Sequence, residues 1–145
     1  MLIKNASKSG FKGKIYPINP NAPLELFGMK VYRRLVDVPE KVDLAVIAVP
    51  SKYCVQVVEE CGDVGVKAAV VCTAGFSEIG EEGRKLEDEL VKAAQARCIR
   101  LIGPNCNGIY NLEVNLVVSA LSKKIALNTP TVLITQSGYI GYTLA

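Results

Sequence analysis

The sequence predicts a layered α/β fold built on a doubly wound parallel sheet, and three observations carry that prediction. Two runs, Leu44-Ala45-Val46-Ile47-Ala48-Val49 and Ala68-Ala69-Val70-Val71-Cys72, are continuously apolar and rich in β-branched residues. Strands buried on both faces of a parallel sheet have that composition. Between the runs Cys54, Val57, Val58 and Cys61 recur at helical spacing. A third apolar run, Ile99-Arg100-Leu101-Ile102, follows a second helical pattern, so strand and helix alternate as right-handed crossovers require.

Taken in order, Met1 to Ser9 reads as the second half of a helix, and Lys14 to Asn19 as a short strand ended by Pro20. Met29 to Leu35 holds another extended piece after Gly28, followed by the charged turn Val38-Pro39-Glu40-Lys41. Pro50 ends the first long apolar run, Ser51 stands where a helix cap is expected, and Gly62 and Gly65 supply the stop. The run ending at Cys72 delivers Thr73-Ala74-Gly75-Phe76 at its carboxyl end. Glu78, Glu81 and Glu82 then crowd a helix start, where the dipole favours acids. Leu86, Leu90, Ala93 and Ala94 form that helix's inner face, and Lys92 and Arg97 sit near its end. After Ile102 comes the loop Gly103-Pro104-Asn105-Cys106-Asn107-Gly108. Val114 to Ala126 is apolar without a clean period, Thr131 to Thr135 reads as a strand, and Gln136-Ser137-Gly138 turns it into a helix.

Composition narrows the function. At 145 residues, 50% hydrophobic and 21% charged, the chain is one folded domain rather than a disordered segment. Its net charge of +3 is spread over scattered cations with no basic run among aromatics, which argues against nucleic acid. No apolar stretch approaches the roughly 20 residues of a membrane helix, and Met1 to Gly13 does not read as a secretory leader. Five cysteines, an odd number without C-x-x-C spacing, indicate reduced thiols in a cytoplasmic protein. There is no histidine. That excludes a Ser-His-Asp triad, a Cys-His pair and a histidine-ligated metal within this chain, and the scattered thiols argue against a metal cage.

Four small polar loops should gather at the carboxyl edge of the sheet, where such folds hold ligands: Asn19-Pro20-Asn21, Pro50-Ser51, Thr73 to Phe76, and Gly103 to Gly108. In the last, two glycines leave backbone N–H groups open to a ligand and two asparagines offer amides, although a plain turn would also use those glycines. A nicotinamide or flavin dinucleotide site wants an acidic residue at the end of the second strand. Asn19-Pro20 stands there instead, which argues against NAD and leaves room for a ribose carrying a phosphate. Lys12, Lys14, Lys30, Arg33 and Arg34 either supply charge to that phosphate or solvate the surface.

The stretches IYPINPN, DLAVIAVPSKY, ECGDVGVKAAVVCTAGFSEIGEEGRKLEDEL and IRLIGPNCNGIYN occur in this order, at similar spacing, in the coenzyme A binding domain of nucleoside-diphosphate-forming acyl-CoA synthetases. From about residue 10 to residue 145 the chain resembles that domain, as in ADP-forming acetyl-CoA synthetase and, more distantly, the α subunit of succinyl-CoA synthetase. The resemblance implies one Rossmann-like, three-layer αβα domain over residues 1–145 with coenzyme A as its cofactor. It implies that Asn19 and Pro20 border the adenosine end of CoA, that Val49, Pro50 and Ser51 line its groove, and that Thr73, Ala74 and Gly75 contact the pantetheine arm. Gly103, Pro104, Asn105 and Cys106 would face the thiol end and the family's catalytic histidine loop. Family chemistry runs through a phosphohistidine and an acyl phosphate, with CoA supplying the attacking sulfur, so Cys106 is implied to be a loop residue rather than a nucleophile.

Two departures stand out. Asn21 occupies a position where relatives often have lysine, and the family's first strand and glycine-rich turn have no counterpart before Met1. The family's phosphorylated histidine belongs to a following domain, so the chain is expected to be a CoA-binding fragment, catalytically incomplete alone. The implied partners are CoA, an ATP-grasp and a histidine-bearing domain or subunit, in a homo- or hetero-oligomer. Ser137 and Gly138 would face the phosphohistidine. Residues 131–145 are then either the start of a second domain or a strand and helix that complete the sheet. A stand-alone CoA- or nucleotide-binding regulatory module, and an NAD-binding oxidoreductase domain, are the alternative readings.

Overall fold

In the computed structural model, residues 1–111, 113–120 and 137–138 are described. Their elements are α1 (Leu2–Lys8), β1 (Glu25–Leu26), β2 (Met29–Lys30), β3 (Leu44–Ile47), α2 (Cys54–Asp63), β4 (Ala68–Val71), α3 (Glu81–Ala96), β5 (Arg100–Ile102), β6 (Gly108–Asn111) and β7 (Leu116–Ser119). Strands β3, β4 and β5 form the parallel sheet in that order, with Leu44 opposite Ala68 and Ala68 opposite Arg100. This is the α/β, Rossmann-like arrangement the apolar runs predict.

Helices α2 and α3 pack against each other, as two right-handed crossovers in sequential strand order require. Cys54, Val58 and Cys61 of α2, and Leu90 and Ala94 of α3, enclose one core with Ile47, Ala69, Val71 and Phe76. Val70 alternates to the opposite face of β4 and is equally buried. Burial on both faces holds for this middle strand and fails for β3, where Leu44, Ala45 and Val46 stay half-buried. The reason is position: β3 and β5 are the outer members of the described three.

Both crossover helices end in the same motif. Gly65, at φ +79°, follows α2, with Val66 N–H donating to Cys61 O at 2.9 Å and Gly65 N–H to Gly62 O at 3.0 Å. Both bonds satisfy carbonyls the helix leaves free, and Val66 is buried against the core. Gly62, expected as part of the stop, lies inside α2 instead, where a Cβ would meet the Arg97 side chain at 2.6 Å. After α3 the left-handed position is taken by Cys98, at φ +55°, with Ile99 N–H donating to Ala94 O at 2.9 Å.

Several expectations change. Lys14 to Asn19 forms no ladder: Ile18 makes one parallel bridge to Tyr32, and Pro17 has no N–H with which to extend it. Within Met29 to Leu35, only Met29–Lys30 is strand, paired antiparallel with Glu25–Leu26. Phe27 and Gly28, both at positive φ, make the two-residue turn, while Leu35 opens a 3-10 turn. Ser51 likewise opens a 3-10 turn, and α2 has no side-chain cap. The aperiodic stretch after Val114 contains β7, which pairs antiparallel with β6. Helix α1 packs on β7, and Asn5 Nδ2 donates to Ser119 O at 2.8 Å. The strand expected at 131–135, and its insertion into the sheet, lie outside the described residues.

A non-glycine side chain in the left-handed region costs about 1–2 kcal/mol, partly offset by the greater unfolded-state freedom of glycine. Cys98→Gly is therefore expected to raise stability by about 0.5–1 kcal/mol, read from urea unfolding under reducing conditions.

Candidate functional site

Thr73 lies just beyond β4, and two of its groups bind the neighbouring strand ends. Its hydroxyl donates to Val49 O at 2.6 Å, and its carbonyl accepts from Asn105 N at 2.9 Å. The loops after β3, β4 and β5 are thereby held together. Gly75, at φ +101°, comes so close to Ser51 that a Cβ would sit 3.0 Å from Ser51 Oγ. Val49, Pro50, Ser51, Thr73, Ala74, Gly75 and Asn105 thus gather at one edge of the sheet, where the sequence places a binding groove.

Two carboxylates shape this edge: Glu78, which the sequence assigned only to a helix start, and Glu87, to which it assigned no role. Glu78 accepts from Gly75 N at 2.5 Å through Oε1 and from Phe76 N at 3.2 Å through Oε2. Glu87 accepts from Ser77 N at 3.0 Å. The Gly75 N–H first, with the Glu78 and Phe76 amides adding, holds the Glu78 carboxyl below the usual carboxylate range. Glu78, three residues after Gly75, was the available sequence signal for the first of these contacts. Beside it an open depression of about 480 Å³ is lined by Ser77, Glu78, Glu87, Gly103, Pro104 and Asn105.

The loop after β5 owes its glycines to the fold. Gly103 and Gly108 have positive φ, and a Cβ on either would collide with a backbone carbonyl, Val71 O or Val118 O. Of the two uses the sequence leaves open for these glycines, the turn is the one these contacts require. Asn105 takes φ +53°, a conformation asparagine tolerates. The Cys106 thiol donates to Val71 O at 3.5 Å. Asn107 O accepts from Ala120 N at 3.0 Å, and Gly138 lies against the Asn107 side-chain amide. Ser137 and Gly138 thus return to the Gly103–Gly108 loop.

Asn19 and Pro20 are exposed and belong to a separately organised loop. Asn19 Oδ1 accepts from Asn21 N at 2.8 Å. Arg33 Nη1 donates to Asn19 O at 3.3 Å, Pro20 O at 2.5 Å and Ala22 O at 2.8 Å. Lys14 pairs with Glu40, and Lys30 lies 5.0 Å from the centre of the Tyr32 ring. Three of the five candidate phosphate-binding cations therefore have work inside the chain, and the alternative that they merely solvate the surface does not describe Arg33.

A model described as a CoA binding domain matches residues 1–111. The chain belongs to the CoA binding domain family. This CoA binding domain is similar to an ADP-forming acetate–CoA ligase I subunit alpha of Pyrococcus furiosus, at 40% identity over 99% of the chain and 31% of that subunit. It is 46% identical to an ADP-forming acetate–CoA ligase of Methanocaldococcus jannaschii, over 90% of the chain and 18% of that protein. A dinucleotide forming acetyl-coenzyme A synthetase 1 of Ca. Korarchaeum cryptofilum, in complex with phosphate and ADP, superposes with a TM-score of 0.87 at 43% identity, over 99% of the chain and 30% of that structure. The CoA binding domain thus spans about a third or less of these relatives. Among the described residues no helix is long and apolar enough to cross a membrane.

Because the Glu78 carboxyl is held below its unfolded value, its contribution is full above the unfolded value near 4.5 and is lost as pH falls through the folded one. The stability gap between this domain and its Glu78→Gln variant should therefore be full above about pH 4.5 and close as the pH falls below it, read from urea titrations. Arg33→Ala should free the three carbonyls, and amide exchange at Asn21 should quicken on the order of tenfold with little change in melting temperature.

Proposed function

We propose that this domain is the CoA-holding part of an ADP-forming acyl-CoA synthetase, which interconverts acid, CoA and ATP with acyl-CoA, ADP and phosphate. The observation that carries the reading is the junction at Thr73, which draws the Val49–Ser51, Thr73–Gly75 and Gly103–Cys106 segments into one wall. Charge supports an orientation for the ligand. Glu78 and Glu87 line the depression beside Gly103 and Asn105, and two carboxylates repel phosphates while tolerating a neutral amide arm. The pantetheine arm and thiol belong there. The adenosine end belongs near Asn19 and Pro20, which Arg33 holds within the cation-rich segment 12–34.

With no histidine in the sequence, a phosphoryl relay falls to another domain or subunit, and an ATP-grasp partner would supply the nucleotide. Residues 131–145 are read as the beginning of that neighbour, with Ser137 and Gly138 facing its phosphohistidine across Asn107. A cytoplasmic location follows from the same reading. This domain's share of the reaction is to bind CoA and aim its sulfur.

Calorimetric titration with CoA, dephospho-CoA and NAD tests the proposal. CoA should bind more tightly than dephospho-CoA, and tight NAD binding without CoA binding would overturn the reading. Thr73→Val keeps the side chain's shape and deletes the bond to Val49, so CoA should bind about tenfold more weakly, equivalent to about 1.4 kcal/mol.

A further inference from the structure

The loop after β5 carries one group that the CoA reading leaves idle, the thiol of Cys106. Its Sγ lies 3.5 Å from Val71 O, the carbonyl bonded to the amide of Cys72. That carbonyl belongs to the residue before Cys72, so Cys106 and Cys72 are neighbours across the two segments, and both are half-buried. Backbone bonds hold both segments in place: Cys72 N donates to Ile47 O at 2.9 Å, and Asn105 N donates to Thr73 O at 2.9 Å. Gly103 leaves room for the contact, since a Cβ there would stand 3.3 Å from Cys106 Sγ. The remaining thiols are placed differently. Cys54 and Cys61 are buried in the core, and Cys98 is exposed before β5, at the opposite end of that strand from Cys106.

We propose that Cys72 and Cys106 form a dithiol that small-molecule disulfides oxidise reversibly to an intrachain disulfide joining the end of β4 to the loop after β5. The step is thiol–disulfide exchange. The Cys106 thiolate attacks one sulfur of RSSR, the S–S bond breaks, and RS⁻ leaves and takes up a proton. Cys72 then gives its proton to solvent and its sulfur attacks Cys106, expelling the second RS⁻ and closing the cross-link. Two cysteine thiols and RSSR become one protein disulfide and two RSH, so the small disulfide is reduced and the pair oxidised. Burial, with Cys106 adding to it, pushes the Cys72 thiol up to about 11. Closure therefore quickens with rising pH, about tenfold per unit while the thiol remains largely protonated. The cross-link restrains a segment that lines the depression at Gly103 and Asn105, and its formation does not depend on what ligand that depression holds.

The test is non-reducing tryptic mapping of the reduced chain after exposure to glutathione disulfide and quenching by alkylation, because Cys72, Cys98 and Cys106 fall in different tryptic peptides. The expected product is a peptide pair linked through Cys72 and Cys106, released by dithiothreitol and formed faster at higher pH. Cys72→Ser should instead accumulate a stable glutathione adduct on Cys106. Modification confined to Cys98, or persistent separate adducts on Cys72 and Cys106 in the unsubstituted chain, would overturn the proposal. A calorimetric CoA titration of the reduced chain, run in parallel, reports on the CoA reading alone.

Discussion

The bond from the Thr73 hydroxyl to the Val49 carbonyl sets the spacing on which the candidate site depends, because the next bond along, from Asn105 to the Thr73 carbonyl, passes that spacing to a third loop. Parallel strands end without a shared turn, so nothing in the ladder itself aligns the loops that leave them. At 2.6 Å the hydroxyl bond is short and half-buried, and its net contribution to stability is about 1 kcal/mol. Its larger effect is geometric. With Thr73 fixed at both groups, Gly75 is carried against Ser51, and the amides of Gly75 and Phe76 turn toward Glu78.

That last contact links the site to the core. Phe76 is fully buried, and a Cβ at Gly83, in the first turn of α3, would collide with its carbonyl oxygen. Helix α3 therefore sits hard against the loop whose amides Glu78 and Glu87 occupy. The acids satisfy backbone donors that a short polar loop would otherwise present to solvent, and they leave negative charge on one side of the depression. Positive charge lies elsewhere, on the segment that holds Asn19 and Pro20. Such separation suits a long ligand with an anionic end and a neutral arm, the shape on which the CoA reading rests.

The parallel sheet was legible because its strands are continuous apolar runs and its helices keep a clean period; Cys54, Val58 and Cys61 face the core as their spacing requires. Elements made by turns were harder to see. The hairpin at Glu25–Lys30 turns on Phe27-Gly28 rather than Asn-Gly, so its signal is weak, and β7 lies in a stretch with no alternation. Of the four loops expected at one edge, three are tied together at Thr73, whereas Asn19-Pro20-Asn21 is organised separately by Arg33. What the sequence hid was how they are held. Arg33 is two residues from Val31 but spans 11 to 14 positions to reach its carbonyls, and no local pattern announces that reach. For the glycines of the loop after β5 the sequence left ligand access and turn both open, and the carbonyls of Val71 and Val118, which occupy the space a side chain would need, are what make them turn glycines.

On the proposed reading, this domain contributes position rather than chemistry. A thiol arm held along a wall tied together at Thr73 loses translational freedom before any acyl group arrives, and such ordering is worth several kcal/mol of a bimolecular barrier, on the order of 7–11 in well-aligned cases. The benefit requires a wall that does not relax when the arm is loaded. Bonds within the backbone and to a buried-edge hydroxyl meet that need better than exposed side chains, whose geometry solvent can exchange. Gly138 lies against Asn107, on the same loop whose start lines the depression.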